Sequence, residues 1–212
     1  MPASGLRSRP TRSPPILRDV ARIAGLLLAA GAGRRFGSPK ALAVLPDGTS
    51  FLRRAIDALR DGGCAPVLVV LGAQAELARE LAAGADVVVN EDWADGMGSS
   101  LGAGLAALPS TADAAMVLLV DTPGIGATAV ARMSTYAEPA VVAVATYDGR
   151  RGHPVLLGRE HWADVAKAAV GDTGARPFLL AHADLVVEVP CADIASPEDI
   201  DTQGDLPSSD YR

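Results

Sequence analysis

The sequence predicts a three-layer α/β fold built around a mainly parallel sheet. Short apolar runs alternate with stretches of helical periodicity along most of the chain, a pattern typical of parallel strands joined by crossover helices. Apolar residues make up 49% of the chain and aromatic residues 4%, which favours the packing of small side chains over an aromatic-rich β-sandwich. The length of 212 residues suits one domain with a substantial core.

Seven segments are predicted as strands from their apolar or extended character, in chain order Ile23–Ala29, Val67–Leu71, Asp86–Val89, 114–120, 141–146, 154–157 and 185–189. The segments between them are predicted as helices over residues 51–60, 75–83, 99–108, 127–136, 160–170 and part of 173–182. Thr49 or Ser50 can cap the first helix, and Gly62 follows its end. Gly102 and Gly104 weaken the third helix.

Composition excludes several classes of function. The net charge of −6 argues against a nucleic-acid partner, and the apolar runs are too short to cross a membrane. Cys64 and Cys191 stand alone in the sequence, which gives no disulfide or thiolate–metal framework and fits a reducing cytoplasm.

Three regions are predicted along the chain: a disordered tail over 1–22, a domain over 23–206 and a short tail over 207–212. The first tail is rich in arginine, proline and serine. An export signal is the weaker alternative, because cleavage after Ala30 would cut the glycine-rich loop that follows.

The loop after the first strand is predicted to bind phosphate. It contains Gly31, Gly33 and Gly37, and Arg35 and Lys40 add positive charge. Its spacing is neither that of a dinucleotide-binding G-x-G-x-x-G nor that of a P-loop, because the last glycine comes one residue late and the lysine is displaced.

Carboxylates that could hold a divalent cation follow two later segments. Asp121 stands after the fourth strand, and Asp201 lies in an acidic segment where Asp199 and Asp205 are rival candidates. Mg²⁺ prefers one or two carboxylates together with phosphate oxygens and water. Ligands of parallel α/β sheets bind beyond the carboxyl ends of the strands, so the glycine loop, Asn90 and Asp121 should meet at one edge.

The loop resembles the L-A-A-G-x-G-x-R-[MF]-G-x-x-K signature of the MobA-like nucleotidyltransferases of molybdenum-cofactor maturation. Further likenesses follow in the same order, at Asn90 to Leu101 (N-x-x-W-x-x-G-M-G-S-S-L), Gly152 to Leu157 (G-H-P-V-L-L) and Gly171 to Arg176 (G-D-x-G-A-R). The likeness extends from about residue 23 to 206 and is strongest to the molybdopterin cytidylyltransferases. Two further motifs match the family only in part. In Asp121-Thr122-Pro123, Thr122 stands where the family commonly has Gln, and in the segment 199–206, Gln203-Gly204 replace the family's Pro-Glu.

This resemblance implies a Rossmann-like, GT-A-like nucleotidyltransferase fold and a role for each matched residue. Arg35 and Lys40 are implied as catalytic, and Asp121 and Asp201 as ligands of Mg²⁺. The implied nucleotide-binding residues are Ala29, Ala30, Gly31, Ala32, Gly33, Arg34, Gly37, Asn90, Gly98 and Ser99. The implied acceptor-binding residues are Ser100, His153, Asp172 and Arg176.

The implied reaction is Mg²⁺-dependent transfer of CMP from CTP to a molybdopterin acceptor, with release of pyrophosphate. The sequence Ala29-Ala30-Gly31 favours CTP over GTP in this comparison, and a molybdenum hydroxylase-type enzyme is the implied recipient of the product. Two alternatives remain: transfer to a sugar or alcohol phosphate, and a non-catalytic nucleotide-binding regulatory or cofactor-delivery protein. Lys40, Asp121 and Asp201 favour an enzyme.

Overall fold

A seven-stranded sheet forms the centre of the molecule, in a computed structural model that describes residues 21–206. The strands are β1 (Ile23–Ala29), β2 (Val67–Leu71), β3 (Asp86–Val89), β4 (Ala114–Leu119), β5 (Val142–Tyr147), β6 (Arg150–Gly158) and β7 (Val186–Pro190). The helices are α1 (Phe51–Asp61), α2 (Ala75–Arg79), α3 (Met97–Ala107), α4 (Ala127–Ser134), α5 (Trp162–Ala168) and α6 (Arg176–Ala181).

The strand order β3-β2-β1-β4-β6-β5-β7 places a crevice beside β1. β1 pairs in parallel with both β2 and β4, and the chain leaves β1 toward one side of the sheet before it returns to β4 on the other. The connections after β1 and β4 therefore diverge at neighbouring strand ends. Open α/β sheets bind ligands at such a switch point.

Two apolar layers cover the sheet, because neighbouring residues of each strand face opposite sides. Leu27 of β1 packs in one layer with α1 and α4, whereas Leu26 packs in the other with α3, α5 and α6. Both leucines are fully buried. Strands covered on both faces explain the unbroken apolar run of β1.

The predicted mainly parallel three-layer fold is confirmed, with one strand that sequence reasoning shortened. β6 extends over residues 150–158 rather than 154–157, and it runs antiparallel to β4 and β5. Asp148 and Gly149 both have positive φ, 50° and 78°, in the hairpin turn between β5 and β6. An Asp-Gly pair between two apolar runs is a hairpin signal, but the charged start of β6 at Arg150 and Arg151 conceals the strand.

The predicted tails lie outside the described residues, apart from positions 21 and 22. Among residues 21–206, none of the helices has the length and apolar character that crossing a membrane requires.

Candidate functional site

The loop between β1 and Lys40 is held in shape by its own backbone. Gly33 adopts a φ of +60°, and a Cβ built there would lie 1.9 Å from the backbone oxygen of Ser38. The Gly37 amide donates to the Gly33 carbonyl at 2.8 Å. Phe36 is buried and packs on Phe51 of α1, with ring centroids 6.1 Å apart. The loop therefore closes on itself at Gly33 and is attached to the core at Phe36.

Gly33→Ala is expected to weaken nucleotide binding by roughly tenfold or more, because the methyl group cannot fit beside Ser38. Overpacking costs about 1–3 kcal/mol, and each 1.4 kcal/mol is about tenfold in affinity. Titration calorimetry with a nucleoside triphosphate measures the change. Gly48→Ala is the matched control, because Gly48 has a φ of +85° but open space around its Cβ. Equal affinity in the two variants would contradict this role of Gly33.

Lys40 joins the loop to two carboxylates. Its Nζ donates to Asp121 Oδ2 at 2.8 Å and to Asp201 Oδ1 at 3.0 Å. Arg35 forms a bidentate ion pair with Asp201, in which its two terminal nitrogens lie 3.0 Å from Oδ1 and 2.8 Å from Oδ2. Lys40 has 13% of its side chain exposed, whereas Arg35 has 75% exposed. The sequence-predicted cations and carboxylates thus form one connected cluster.

The backbone beside Asp121 brings the C-terminal acidic segment to the site. The Ile200 amide donates to the Asp121 carbonyl at 2.9 Å, and Ile200 itself is buried. Asp205 is occupied elsewhere, because it accepts from the Thr202 amide and hydroxyl at 2.7 and 2.8 Å. Of the acidic residues in this segment, Asp201 is the one that shares a cation with Asp121.

The ion pair between Lys40 and Asp201 shifts the pKa of both side chains toward the charged form. Burial would lower the pKa of Lys40, but hydrogen bonds and charges from Asp121 and Asp201 outweigh burial, so the pKa is raised. The hydrogen bond from Lys40 lowers the pKa of Asp201, helped by the charges of Lys40 and Arg35. Burial raises the pKa of Asp199, as do the charges of Asp121 and Asp201.

The two carboxylates fit a hard divalent cation. Asp121 and Asp201 converge on a single atom, Lys40 Nζ, and the second Asp121 oxygen, Oδ1, is buried without a hydrogen-bond partner among the described residues. Within residues 21–206, no cluster of three or more acidic, histidine or cysteine side chains is arranged for a metal. The remaining ligands would have to come from a phosphate and water, the combination that Mg²⁺ prefers.

A first cavity of about 360 Å³ opens above this cluster at the carboxyl ends of β1 and β4. Its lining includes both predicted catalytic residues, Arg35 and Lys40, and both predicted metal ligands, Asp121 and Asp201. Two of the predicted acceptor-binding residues, Ser100 and Asp172, also line it. The predicted nucleotide-binding residues in the lining are Ala29, Ala30, Gly31, Ala32, Gly33 and Arg34. Gly37 lies outside the lining, at the exposed end of the loop. Backbone, cations and carboxylates thus surround a space that can hold a phosphorylated ligand.

Asn90 and Ser99 lie behind the cavity wall and hold it together. The Asn90 amide donates to Ser99 Oγ at 2.9 Å and to Ser100 Oγ at 3.0 Å. The carbonyls of Asp92 and Gly96 both lie within hydrogen-bond distance of Ser99 Oγ, whose single hydroxyl proton can be donated to either. Asp172 Oδ1 accepts from the Met97 amide at the start of α3. Binding of nucleotide by Asn90 and Ser99 stays a prediction, and in this structure they fix the position of α3.

Gly98 also lies outside the cavity lining, where it allows α3 to approach the chain after α5. A Cβ at Gly98 would lie 2.3 Å from the carbonyl oxygen of Ala169. Gly98→Ala should therefore lower the stability by about 1–3 kcal/mol, or roughly 2–4 °C in Tm for each kcal/mol, measured by calorimetry. Gly102→Ala on the same helix has Ala166 Cβ at 4.0 Å and should gain about 0.5–1 kcal/mol. The two variants showing the same Tm would contradict this packing role.

A second cavity of about 830 Å³ adjoins the first, and the two share Leu28 and Met97. Its lining is largely apolar and comes from β4, β5, β6 and α6, with His153 and Arg176 among the polar residues. Arg151 lies there too, paired with Glu188 at 2.8 Å, whereas Arg176 forms no ion pair within residues 21–206. The predicted acceptor-binding residues are thus divided, with Ser100 and Asp172 in the first cavity and His153 and Arg176 in the second.

His153 is expected to titrate below its ordinary range. Burial lowers its pKa from 6.5, although the contact with the Val117 carbonyl and the charge of Asp121 act in the opposite direction. Below pH 6.5 the unfolded chain therefore binds a proton that the folded chain does not, so stability is lost as pH falls. Proton–nitrogen NMR, with His153→Asn for assignment, measures the pKa. A value of 6.5 or above would contradict this burial.

Trp93, Gly96 and Met97 are among the first-cavity residues that were absent from the predicted binding and catalytic sets. All three lie in the Asn90 to Leu101 motif, so the signal was present in the motif. Arg151 in the second cavity had no such signal, because its strand was predicted too short.

Comparisons with known proteins show the family of the chain. The MobA-like NTP transferase domain family matches residues 25–186. Nicotine blue oxidoreductase of Paenarthrobacter nicotinovorans is 41% identical over 195 residues, which cover 87% of this chain and 94% of that protein. A probable molybdenum cofactor guanylyltransferase of Mycobacterium ulcerans (strain Agy99) is 29% identical over 194 residues, which cover 90% and 94%. The crystal structure of Rv0371c from Mycobacterium tuberculosis H37Rv in complex with manganese has a TM-score of 0.71 at 28% identity, with 87% of this chain and 96% of that chain covered.

The mostly parallel sheet and the family match define a Rossmann-like nucleotidyltransferase, and the chain is an enzyme of that class. The match over residues 25–186 shows that it belongs to the MobA-like NTP transferase family.

Proposed function

We propose that the protein transfers CMP from CTP to a molybdopterin acceptor, in a reaction that depends on Mg²⁺. The observation that supports this most is the convergence of Asp121 and Asp201 on Lys40 Nζ beside the glycine loop, with one oxygen of each carboxylate within 3.0 Å of that nitrogen. This arrangement offers donors for phosphate oxygens and carboxylates for a hard cation at one point.

Charge neutralisation and positioning carry the reaction. An anionic phosphate oxygen of the acceptor bonds to the α-phosphorus of the nucleotide, and the bond from that phosphorus to the bridging oxygen breaks. Pyrophosphate leaves with the bonding electrons, so the protein need not supply a nucleophile or a strong base. Backbone amides of residues 32–37 hold the β- and γ-phosphates, and Arg35 offsets the charge of the departing pyrophosphate.

Lys40 turns from the carboxylates to the α-phosphate or its bridging oxygen. Asp121 and Asp201 would then hold Mg²⁺, which supplies Lewis-acid stabilisation of the phosphate oxygens. The manganese complex of the related Rv0371c supports a divalent cation in this family. The choice of Mg²⁺ rests on the carboxylate and phosphate ligands that the site offers.

The second cavity is the proposed place of the acceptor. It opens onto the first through Leu28 and Met97, so an acceptor there can direct its phosphate toward the nucleotide. Arg176 is available for an anionic group and His153 for a hydrogen bond, while Ser100 and Asp172 approach from the nucleotide side. The apolar walls suit the flat face of a ring system.

The preference for CTP rests on Ala29-Ala30-Gly31, three small residues that line the first cavity. The Mycobacterium ulcerans relative is named a guanylyltransferase, so GTP is the main competitor. We further propose that the enzyme acts in the cytoplasm and that its product passes to a molybdenum hydroxylase-type enzyme.

The test incubates purified protein with Mg²⁺ and molybdopterin cofactor, and supplies each nucleoside triphosphate separately. We expect pyrophosphate release with CTP and little with GTP. Release with GTP alone would contradict the cytidylyl assignment, and binding of nucleotide without release would favour a regulatory protein. Pyrophosphate release with a sugar or alcohol phosphate, but not with molybdopterin, would assign that phosphate as the acceptor.

Oxidoreduction is a second candidate function, favoured by the 41% identity to a protein named nicotine blue oxidoreductase. The apolar second cavity suits an aromatic substrate, and the phosphate loop could receive the pyrophosphate of a reduced nicotinamide dinucleotide. The discriminating assay follows the oxidation of that dinucleotide by absorbance, with nicotine blue present and nucleoside triphosphate absent. Oxidation of the dinucleotide in this assay, together with no pyrophosphate release from any nucleoside triphosphate, would assign oxidoreduction rather than nucleotidyl transfer to the protein.

A further inference from the structure

Lys40 occupies the point on which the two carboxylates converge. Its Nζ lies 2.8 Å from Asp121 Oδ2 and 3.0 Å from Asp201 Oδ1. An ammonium at this position satisfies both carboxylates, and a divalent cation held by the same oxygens would lie against it. Two cations at contact distance repel strongly in a site that is partly shielded from water.

Arg35 is the second cation of the cluster and brings the net charge of Lys40, Arg35, Asp121 and Asp201 to zero. Both of its terminal nitrogens bond to Asp201, so two cationic side chains balance two carboxylates. Only Asp121 Oδ1 remains without a hydrogen-bond partner among the described residues. The cations that neutralise these carboxylates are the ones that the loop would direct at a triphosphate.

We infer that Lys40 is an internal counter-ion that excludes free divalent metal from the empty enzyme until a polyphosphate draws the lysine away. The exchange is purely ionic: phosphate oxygens replace the carboxylates as partners of Lys40 and Arg35, and the metal replaces Lys40 on the carboxylates. Metal then enters with the nucleotide or after it. This inference rests on the proposed function, because it takes Asp121 and Asp201 as metal ligands and the loop as the triphosphate site.

The composition of the chain makes the inference testable, because Lys40 and Lys167 are its two lysines. Lys167 is exposed on α5, whereas Lys40 has 13% of its side chain exposed. Lys167→Met therefore removes the same charge without touching the cluster, and is the matched control for Lys40→Met.

The first experiment titrates Mn²⁺ into the full-length, nucleotide-free protein and measures free metal by electron paramagnetic resonance. Lys40→Met should bind Mn²⁺ about tenfold more tightly than the wild type or Lys167→Met, because the competing charge is gone. Adding Asp121→Asn to Lys40→Met should abolish the gain, which places the bound metal at this cluster. Equal Mn²⁺ affinity in Lys40→Met and the wild type would overturn the inference.

A second measurement uses the wild-type protein and so does not depend on the folding of a variant. Lysine labelled with ¹³C gives two Cε signals, and Lys167→Met assigns them. Inorganic pyrophosphate, added with a chelator that removes metal, should shift the Lys40 signal. Millimolar Mg²⁺ without pyrophosphate should leave the signal unchanged. A shift of Lys40 by Mg²⁺ alone would overturn the inference.

These outcomes are separable from those of the proposed function. Pyrophosphate release with equal Mn²⁺ affinity in Lys40→Met and the wild type would retain nucleotidyl transfer and remove the counter-ion role. Tighter Mn²⁺ binding by Lys40→Met without release from any nucleotide would retain the counter-ion role and remove the transfer reaction.

Discussion

Lys40→Ala is expected to lower the kcat of nucleotidyl transfer by about 10²–10³-fold, the effect of removing one donor aimed at developing charge. Lys40 lies between the glycine loop and the carboxylates, so its loss removes a donor to the phosphates at the reacting centre. Pyrophosphate release at saturating nucleotide and acceptor measures the effect.

Lys167→Ala controls for the loss of a lysine, because Lys167 is exposed on α5, away from the cluster. It should turn over like the wild type. If Lys40→Ala retained full kcat while folding normally, Lys40 would have no part in the transfer step.

Asp121→Asn is expected to lower kcat by about 10²-fold or more, because metal-ion stabilisation of a phosphoryl oxygen contributes several kcal/mol. The amide keeps the shape of the side chain but removes its charge. The concentration of Mg²⁺ that gives half-maximal rate should also rise, and titration of the rate with Mg²⁺ measures both effects.

Asp113→Asn is the matched control for Asp121→Asn, because the two aspartates lie just beyond opposite ends of β4. Asp113 accepts from the Arg22 amide at 2.9 Å and is not part of the cavity lining. Its variant should keep the wild-type dependence on Mg²⁺. An unchanged dependence in Asp121→Asn as well would remove Asp121 from the metal site.

The loop was the most predictable part of the site, because its chemistry is local. Residue 33 has a positive φ and no room for a Cβ beside Ser38. Only glycine meets both requirements without strain, so the sequence itself indicates the turn. Asp121 was equally accessible, because a polar residue that ends a buried strand lies at the ligand-binding edge of a parallel sheet.

The resemblance assigned Lys40, Asp121 and Asp201 to one site, but the ion pairs between them were beyond sequence reasoning, because ion pairs depend on long-range folding. Asp201 meets Lys40 through the hydrogen bond from Ile200 to Asp121, which no local pattern indicates. Local pattern left Asp199, Asp201 and Asp205 as rivals, and the resemblance selected Asp201. The structure places Asp201 beside Lys40 and pairs Asp205 with Thr202. The predictions for Asn90, Gly98 and Ser99 came from a motif, and a motif does not distinguish ligand contact from support of the wall.

The most direct test of nucleotidyl transfer at this site follows the α-phosphate itself. Each nucleoside triphosphate, labelled with ³²P at the α-position, is incubated with the wild-type protein, Mg²⁺ and molybdopterin cofactor, and the products are separated. The label should move from CTP to the acceptor in a one-to-one ratio with released pyrophosphate, and should not move with Asp121→Asn. Label that stays with the nucleotide for every triphosphate supplied would contradict the account.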